Sequence, residues 1–135
     1  MKKRLLIVED EAITALDLRF SLEERGYEVI DTADTGQDAI DIAAETVPDV
    51  VLMDIKLKGD MEGIEAAEVI SELRIPIVYL TANTDTDTFK KSNVKGSYGF
   101  ISKPYDIDKL DKILQITIKK AELEAKKLNE ASGFK

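Results

Sequence analysis

The 135-residue chain contains no cysteine and no histidine. Without cysteine it forms no disulfide, offers no thiolate nucleophile and binds no metal through sulfur. Without histidine it has no imidazole to serve as a general base or metal ligand, which excludes Ser-His and Cys-His catalysis. Any chemistry must therefore depend on carboxylates, hydroxyls, lysines and a hard cation held by oxygen ligands.

Charge and length favour one acidic globular domain. The 27 acids exceed the 19 bases, for a net charge of −8, which argues against direct nucleic-acid binding because such binding needs a cationic surface. The apolar stretch at residues 5–8 ends at Glu9 and is too short for a signal peptide, and no run is long enough to span a membrane. We therefore expect a cytoplasmic protein without membrane contact.

Short apolar runs rich in β-branched residues predict the strands of a parallel sheet that is covered on both faces. These runs lie at residues 5–8, 50–53 and 77–80. A more polar segment at residues 27–33 suits an edge strand, and residues 97–102 form a fifth candidate. Strands that alternate with helices indicate an α/β fold in which right-handed crossovers place helices on both sides of the sheet.

Helical periodicity follows each predicted strand. In the first helix the apolar stripe includes Leu16 and Phe20, and Gly26 ends it. Thr35 is the expected cap of the second helix, and Asp106 of the last. The third helix covers residues 64–73, and a polar fourth covers residues 84–94. The sequence thus predicts five helices.

Polar residues follow the predicted strands at the points where they end, and ligands of open α/β sheets bind at the carboxyl ends of the strands. Each residue alone has an ordinary explanation, as part of a helix start, a turn, a cap or a surface lysine. Together they indicate a site, because clustered carboxylates need a cation such as Mg²⁺. A lysine and a hydroxyl beside that cation would suit phosphoryl transfer. The residues are Glu9, Asp10, Asp54, Thr81 and Lys103.

This ordered set resembles the receiver domain of two-component response regulators, of the kind found in chemotaxis regulators. The resemblance extends from residue 3 to about residue 120, and it also includes Gly63, Ala82 and Pro104. It implies a flavodoxin-like, doubly wound five-stranded parallel sheet with strand order 2-1-3-4-5 and five helices. It further implies a phosphorylation-dependent signalling domain and not a turnover enzyme.

The resemblance assigns a role to each matching residue. Asp54 would be the phosphoacceptor, Thr81 and Lys103 would bind the phosphoryl group, and the Lys103–Pro104 bond would be cis. Phe100 occupies the switch-aromatic position, although a plain core aromatic is the alternative. The implied Mg²⁺ ligands are Glu9, Asp10, Asp54 and the main-chain carbonyl of Lys56.

The implied partner is a sensor histidine kinase or a histidine phosphotransfer protein. The receiver domain would cover residues 1–120. Residues 121–135 would form a helical extension, as a connector or a solvated tail. This tail is basic, since residues 109–135 contain seven bases and four acids. A homodimer could form through the output face, which includes the fifth strand and the last helix, or through the C-terminal helix.

Three other functions are alternatives to this one. A haloacid-dehalogenase-type phosphatase needs a second aspartate two residues after the nucleophile, where this chain has Lys56. A flavodoxin-like flavin carrier needs a hydroxyl- and glycine-rich loop after the first strand, where the acidic residues 9–11 would repel phosphate. A phosphorylation-independent interaction module on the same fold stays open as the alternative.

Overall fold

A computed structural model describes residues 2–57, 59, 61, 63–81 and 97–131. Its strands form a single five-stranded parallel sheet in the order β2-β1-β3-β4-β5, which confirms the predicted fold class and strand order. Four of the strands extend the predicted runs by no more than one residue, while β2 begins one residue later and lies at an edge. Their bounds are β1 (Arg4–Val8), β2 (Glu28–Ala33), β3 (Val50–Asp54), β4 (Ile77–Thr81) and β5 (Ser97–Ser102).

Four helices lie within the described residues. They are α1 (Ala12–Glu24), α2 (Gly36–Thr46), α3 (Gly63–Ser71) and α4 (Ile107–Ala131). The helix predicted at residues 84–94 lies outside the described part of the chain. The last helix, α4, is continuous through residue 120. None of the described helices is both long and apolar enough to cross a membrane.

Alternate residues of the central strands pack into two separate cores, one on each face of the sheet. Leu6, Val51 and Tyr79 pack against α2 and α3. Leu52 and Leu80 lie on the other face, against α1 and α4. This arrangement requires strands that are apolar on both faces, which is why the strands read as continuous apolar runs.

Two predicted helix caps are present. The Thr35 hydroxyl accepts a hydrogen bond from the Asp38 backbone N–H at 3.1 Å, at the start of α2. The Asp106 carboxylate accepts from the Asp108 N–H at 2.8 Å, ahead of α4. Each cap satisfies a backbone donor that the first helical turn leaves free.

The predicted buried face of α1 is wrong in part. The residues that α1 buries include Leu18 and Leu22, whereas Leu16 is 54% and Phe20 61% exposed, together with Ile13 at 85%. At 3.6 residues per turn, positions 13, 16 and 20 lie nearly opposite positions 18 and 22. The helix therefore carries two apolar stripes, and only one of them packs on the sheet.

Candidate functional site

The carboxyl ends of β1, β3, β4 and β5 bring the predicted residues together at one edge of the sheet. Asp54 and Thr81 are the last residues of their strands, Glu9 follows β1, and Lys103 follows β5. Glu9, Asp54 and Thr81 are buried, and Asp10 is half-buried. The site is therefore built into the sheet, because parallel strands end side by side.

Three carboxylates cluster at this edge, and one lysine contacts two of them. Glu9, Asp10 and Asp54 each offer an oxygen, and these oxygens all lie within 4.8 Å of one another. The Lys103 ammonium donates to Asp54 Oδ2 at 2.8 Å and to Glu9 Oε1 at 3.1 Å. Three acids against one base leave a surplus of negative charge in a partly buried place, which a hard divalent cation would balance.

The electrostatics of the cluster shift two pKa values. Burial, with the neighbouring Asp54 carboxylate as the next cause, raises the pKa of Glu9 to about 7, although Lys103 acts in the opposite direction. Burial lowers the pKa of Lys103, but its hydrogen bonds to Asp54 and Glu9 outweigh burial and leave that pKa above its ordinary value. The lysine is thus held in its charged form beside the Asp54 carboxylate.

The backbone beyond β3 fits closely around Asp54. The Lys56 N–H donates to Asp54 Oδ1 at 3.1 Å, and the Gly63 N–H donates to the Ile55 carbonyl at 2.9 Å. A Cβ atom on Gly63 would lie only 2.0 Å from the Asp54 carbonyl oxygen. Only glycine allows the first residue of α3 to approach β3 this closely.

Thr81 and Lys103 are connected through the sheet. The Lys103 N–H donates to the Thr81 carbonyl at 2.7 Å, and the Lys103–Pro104 peptide bond is cis, as the resemblance implies. The Thr81 hydroxyl is buried and has no hydrogen-bond partner in the described part of the chain. A buried donor without a partner is rare, so this hydroxyl is suited to a group that arrives from outside.

Phe100 lies in β5, an edge strand of the sheet. It is 47% exposed and lines a shallow cavity of about 260 Å³ together with Gly99, Ile113, Ile116 and Thr117. Because half of the ring is exposed, Phe100 is not a core aromatic in this structure.

Two features near the site were not predicted from the sequence. One is the exposure of Ile13, Leu16 and Phe20, although their spacing of three and four residues is visible in the sequence. The other is a hydrogen bond from the Tyr105 hydroxyl to Asp17 Oδ2 at 2.8 Å. Burial, followed by this hydrogen bond, raises the pKa of Tyr105. No spacing rule could have paired these two residues, since they are distant in sequence.

A family model of the response regulator receiver domain matches residues 5–115. The chain belongs to the response regulator receiver domain family. Receiver domains of this family are signalling modules and do not turn over small substrates.

Two curated relatives come from Mycobacterium tuberculosis. The transcriptional regulatory protein PdtaR is 38% identical over 117 residues, which make up 86% of this chain and 57% of PdtaR. The transcriptional regulatory protein KdpE is 36% identical over 128 residues, 89% of this chain and 54% of KdpE. The receiver chain thus spans little more than half the length of these relatives.

Solved structures agree on the fold. The signal receiver domain of a modulated diguanylate cyclase from Desulfovibrio desulfuricans superposes with a TM-score of 0.86 at 34% identity, covering 92% of this chain and 99% of that domain. The N-terminal domain of a response regulator/sensory box/GGDEF three-domain protein from Carboxydothermus hydrogenoformans gives 0.82 at 32% identity, with coverages of 91% and 99%. Both superpositions extend over most of the receiver chain.

Proposed function

We propose that the chain accepts a phosphoryl group on Asp54 from a phosphohistidine, carried by a sensor histidine kinase or a histidine phosphotransfer protein. The observation that carries the proposal is the pairing of the buried Asp54 carboxylate with the Lys103 ammonium at 2.8 Å, beside the unpartnered hydroxyl of Thr81 among the described residues. An acceptor carboxylate, a fixed cation and a free hydroxyl are the groups that phosphoryl transfer needs.

The transfer step needs no reactant other than the Asp54 carboxylate and the phosphohistidine. An Asp54 carboxylate oxygen attacks phosphorus, the P–N bond of the phosphohistidine breaks, and the bonding pair stays on the imidazole nitrogen of the partner. The Lys103 ammonium stabilises the negative charge on the phosphoryl oxygens, and the Thr81 hydroxyl donates a hydrogen bond to one of these oxygens. Because the chain has no histidine, the histidine of this exchange must be on the partner.

Mg²⁺ is the proposed cofactor, and the donor set fits it. Three carboxylate oxygens from Glu9, Asp10 and Asp54 lie within 4.8 Å of one another, and hard oxygen ligands are what this ion prefers. The main-chain carbonyl of Lys56 would be a further ligand. When bound, the ion supplies positive charge that offsets the carboxylates and the incoming phosphoryl oxygens.

The exposed stripe on α1 is the proposed docking surface for the phosphodonor protein. A cavity of about 520 Å³ joins this helix to the lysine loop, and it is lined by Ile13, Thr14, Asp17, Lys103, Pro104 and Tyr105. A protein that brings a histidine to Asp54 must approach the α1 surface beside this cavity. Exposed large apolar side chains are typical of surfaces that bind other proteins. A kinase domain that phosphorylates the chain should shift the amide NMR signals of α1; shifts confined to other elements would contradict this surface.

Phe100 is the proposed switch aromatic. Attraction of Thr81 toward the phosphoryl group would free space beside β4, and the half-exposed ring could then turn inward. The output face would include β5 and α4 and could mediate a homodimer, which light scattering with and without beryllofluoride would detect. Solvent paramagnetic relaxation enhancement of the Phe100 ring protons measures how exposed the ring is. A ring that is equally exposed with and without beryllofluoride and Mg²⁺ would argue against the switch.

The domain division and the location of the protein are also proposals. We propose a receiver domain over residues 1–120, an extension over residues 121–135 that acts as a connector or tail, no direct nucleic-acid or membrane contact, and a cytoplasmic location. The net charge of −8 supports the absence of nucleic-acid contact.

The decisive experiment uses acetyl phosphate. The full chain is incubated with Mg²⁺ and acetyl phosphate and its intact mass is measured. The proposal expects one added phosphoryl group, none in Asp54→Asn, and an undiminished gain in Asp41→Asn, which removes an exposed acid on α2. Failure of the wild-type chain to gain mass, or gain by Asp54→Asn, would overturn the assignment. Failure of the wild-type chain to gain mass would in addition favour the alternative of a phosphorylation-independent interaction module.

A further inference from the structure

The loop that carries the active-site lysine is attached to α1 by one side-chain hydrogen bond. The Tyr105 hydroxyl donates to Asp17 Oδ2 at 2.8 Å. Tyr105 lies two residues after Lys103, in the short connection between β5 and α4. Asp17 lies in the middle of α1, the helix that follows the acid pair at the end of β1. The bond therefore joins the lysine loop to the element next to the acids.

The lysine needs such support because its side chain is long and flexible. Its backbone is held on one side, where the Lys103 N–H donates to the Thr81 carbonyl at 2.7 Å. Its ammonium must reach both Asp54 and Glu9. A lysine side chain loses rotamer entropy when it is held in one conformation, so the backbone at its base must be fixed for the ammonium to stay in place.

We propose that Tyr105 is a positioning residue for the phosphoryl-acceptor reaction, acting through its hydrogen bond to Asp17 to hold the Lys103 loop against α1. This inference rests on the proposed function of Asp54. Tyr105 itself touches neither Asp54 nor a phosphoryl group, so its effect must pass through the lysine. The same bond lies in the cavity between α1 and the loop, so the geometry of that cavity depends on it as well.

The test measures the rate of phosphorylation of the full chain by acetyl phosphate with Mg²⁺, followed by intact mass. Tyr105→Phe removes the donor, and Asp17→Ala removes the acceptor. Each should lower the rate constant at saturating acetyl phosphate by about tenfold, as expected for loss of one hydrogen bond to a charged group. The half-saturating concentration should change less. The double variant should be no slower than either single one, because both remove the same bond.

Two variants separate positioning from general damage. Asp17→Asn keeps a side-chain oxygen that can accept from Tyr105, so it should restore most of the rate lost in Asp17→Ala. Tyr27→Phe is the matched control, since it removes a similar bond, from the Tyr27 hydroxyl to Asp111 Oδ1 at 2.6 Å, away from the site. Tyr27→Phe should be phosphorylated by acetyl phosphate at the wild-type rate. Urea unfolding of each variant shows whether it is folded.

The outcomes distinguish this inference from the function beneath it. A wild-type chain that gains no phosphoryl group overturns both. A reactive wild type with Tyr105→Phe equally fast, or with Asp17→Asn as slow as Asp17→Ala, overturns the positioning role alone. If Tyr105→Phe fails to fold, the contrast between the two Asp17 variants still decides the question.

Discussion

Glu9 should make the metal-free protein less stable as the pH rises. Its folded pKa of about 7 lies above the ordinary value of 4.5, so the unfolded chain releases this proton first. Stability from this group is complete below about pH 4.5 and is lost as the pH rises through about 7. At about 1.4 kcal/mol per pH unit, the difference between the two pKa values corresponds to about 3 kcal/mol of unfolding free energy.

Urea unfolding in EDTA, followed by far-UV circular dichroism from about pH 5 to about pH 8, measures this loss. Glu9→Gln keeps the shape and an oxygen that can accept from Lys103, but it cannot ionise. We expect the wild type to lose about 3 kcal/mol over this range, and Glu9→Gln to lose correspondingly less. Added Mg²⁺ should restore much of the wild-type loss, because binding to the folded state stabilises it.

Glu11→Gln is the matched control, since it removes one charge from an exposed glutamate two residues away. It should keep the wild-type pH dependence. Ionisation of Glu9 would not be the cause of the pH dependence if Glu9→Gln retained that dependence, or if Glu11→Gln reduced it equally. Either result would mean that the overall negative charge, and not the buried carboxylate, governs the response.

Three further substitutions test the packing around the site and α4. Gly63→Ala should cost about 3 kcal/mol or prevent folding, because its Cβ would lie 2.0 Å from the Asp54 carbonyl oxygen. Thr117→Val should raise the unfolding free energy by about 1 kcal/mol, since the buried Thr117 hydroxyl lacks a partner among the described residues. Asp111→Ala should cost about 2 kcal/mol at neutral pH through the lost hydrogen bond from Tyr27. That cost should shrink as the pH falls through the lowered pKa of Asp111.

The first two of these have matched controls that are also measured by urea unfolding. Gly26→Ala should cost only about 1 kcal/mol, because Gly26 has a φ of +93° but nothing within 4 Å of its Cβ position. Thr35→Val should destabilise by about 1 kcal/mol, the opposite sign to Thr117→Val, because the Thr35 hydroxyl caps α2. Equal effects within either pair would contradict the packing argument.

The strands were predictable because their signals are local. Each central strand is a short β-branched run, bounded by acids or by a proline such as Pro76, and the structure moves its ends by no more than one residue. The meeting of Glu9, Asp54 and Lys103 followed from a general property of parallel sheets, that functional groups gather at the carboxyl ends. No distance was needed to expect it.

What could not be predicted depends on tertiary contacts. The α1 sequence carries two apolar stripes, so periodicity alone could not tell whether Leu18 or Phe20 would face the sheet. The requirement for glycine at position 63 comes from the approach of the Asp54 carbonyl oxygen. The bond between Tyr105 and Asp17 joins residues 88 positions apart. Each depends on a neighbour that only the folded chain supplies.

The placement of donors around Asp54 gives the expected response to phosphorylation a direction. Glu9 and Asp10 lie on the β1 side of Asp54, while Thr81 and Lys103 lie on the β4 and β5 side. A phosphoryl group adds between about one and a half and two negative charges. The acids can attract that charge only through the proposed Mg²⁺, whereas the Thr81 hydroxyl and the Lys103 ammonium can themselves move toward it. We therefore expect amide NMR shifts on beryllofluoride binding to extend outward through β4 and β5 toward Phe100; shifts that extend mainly through β2 and α2 would contradict this direction.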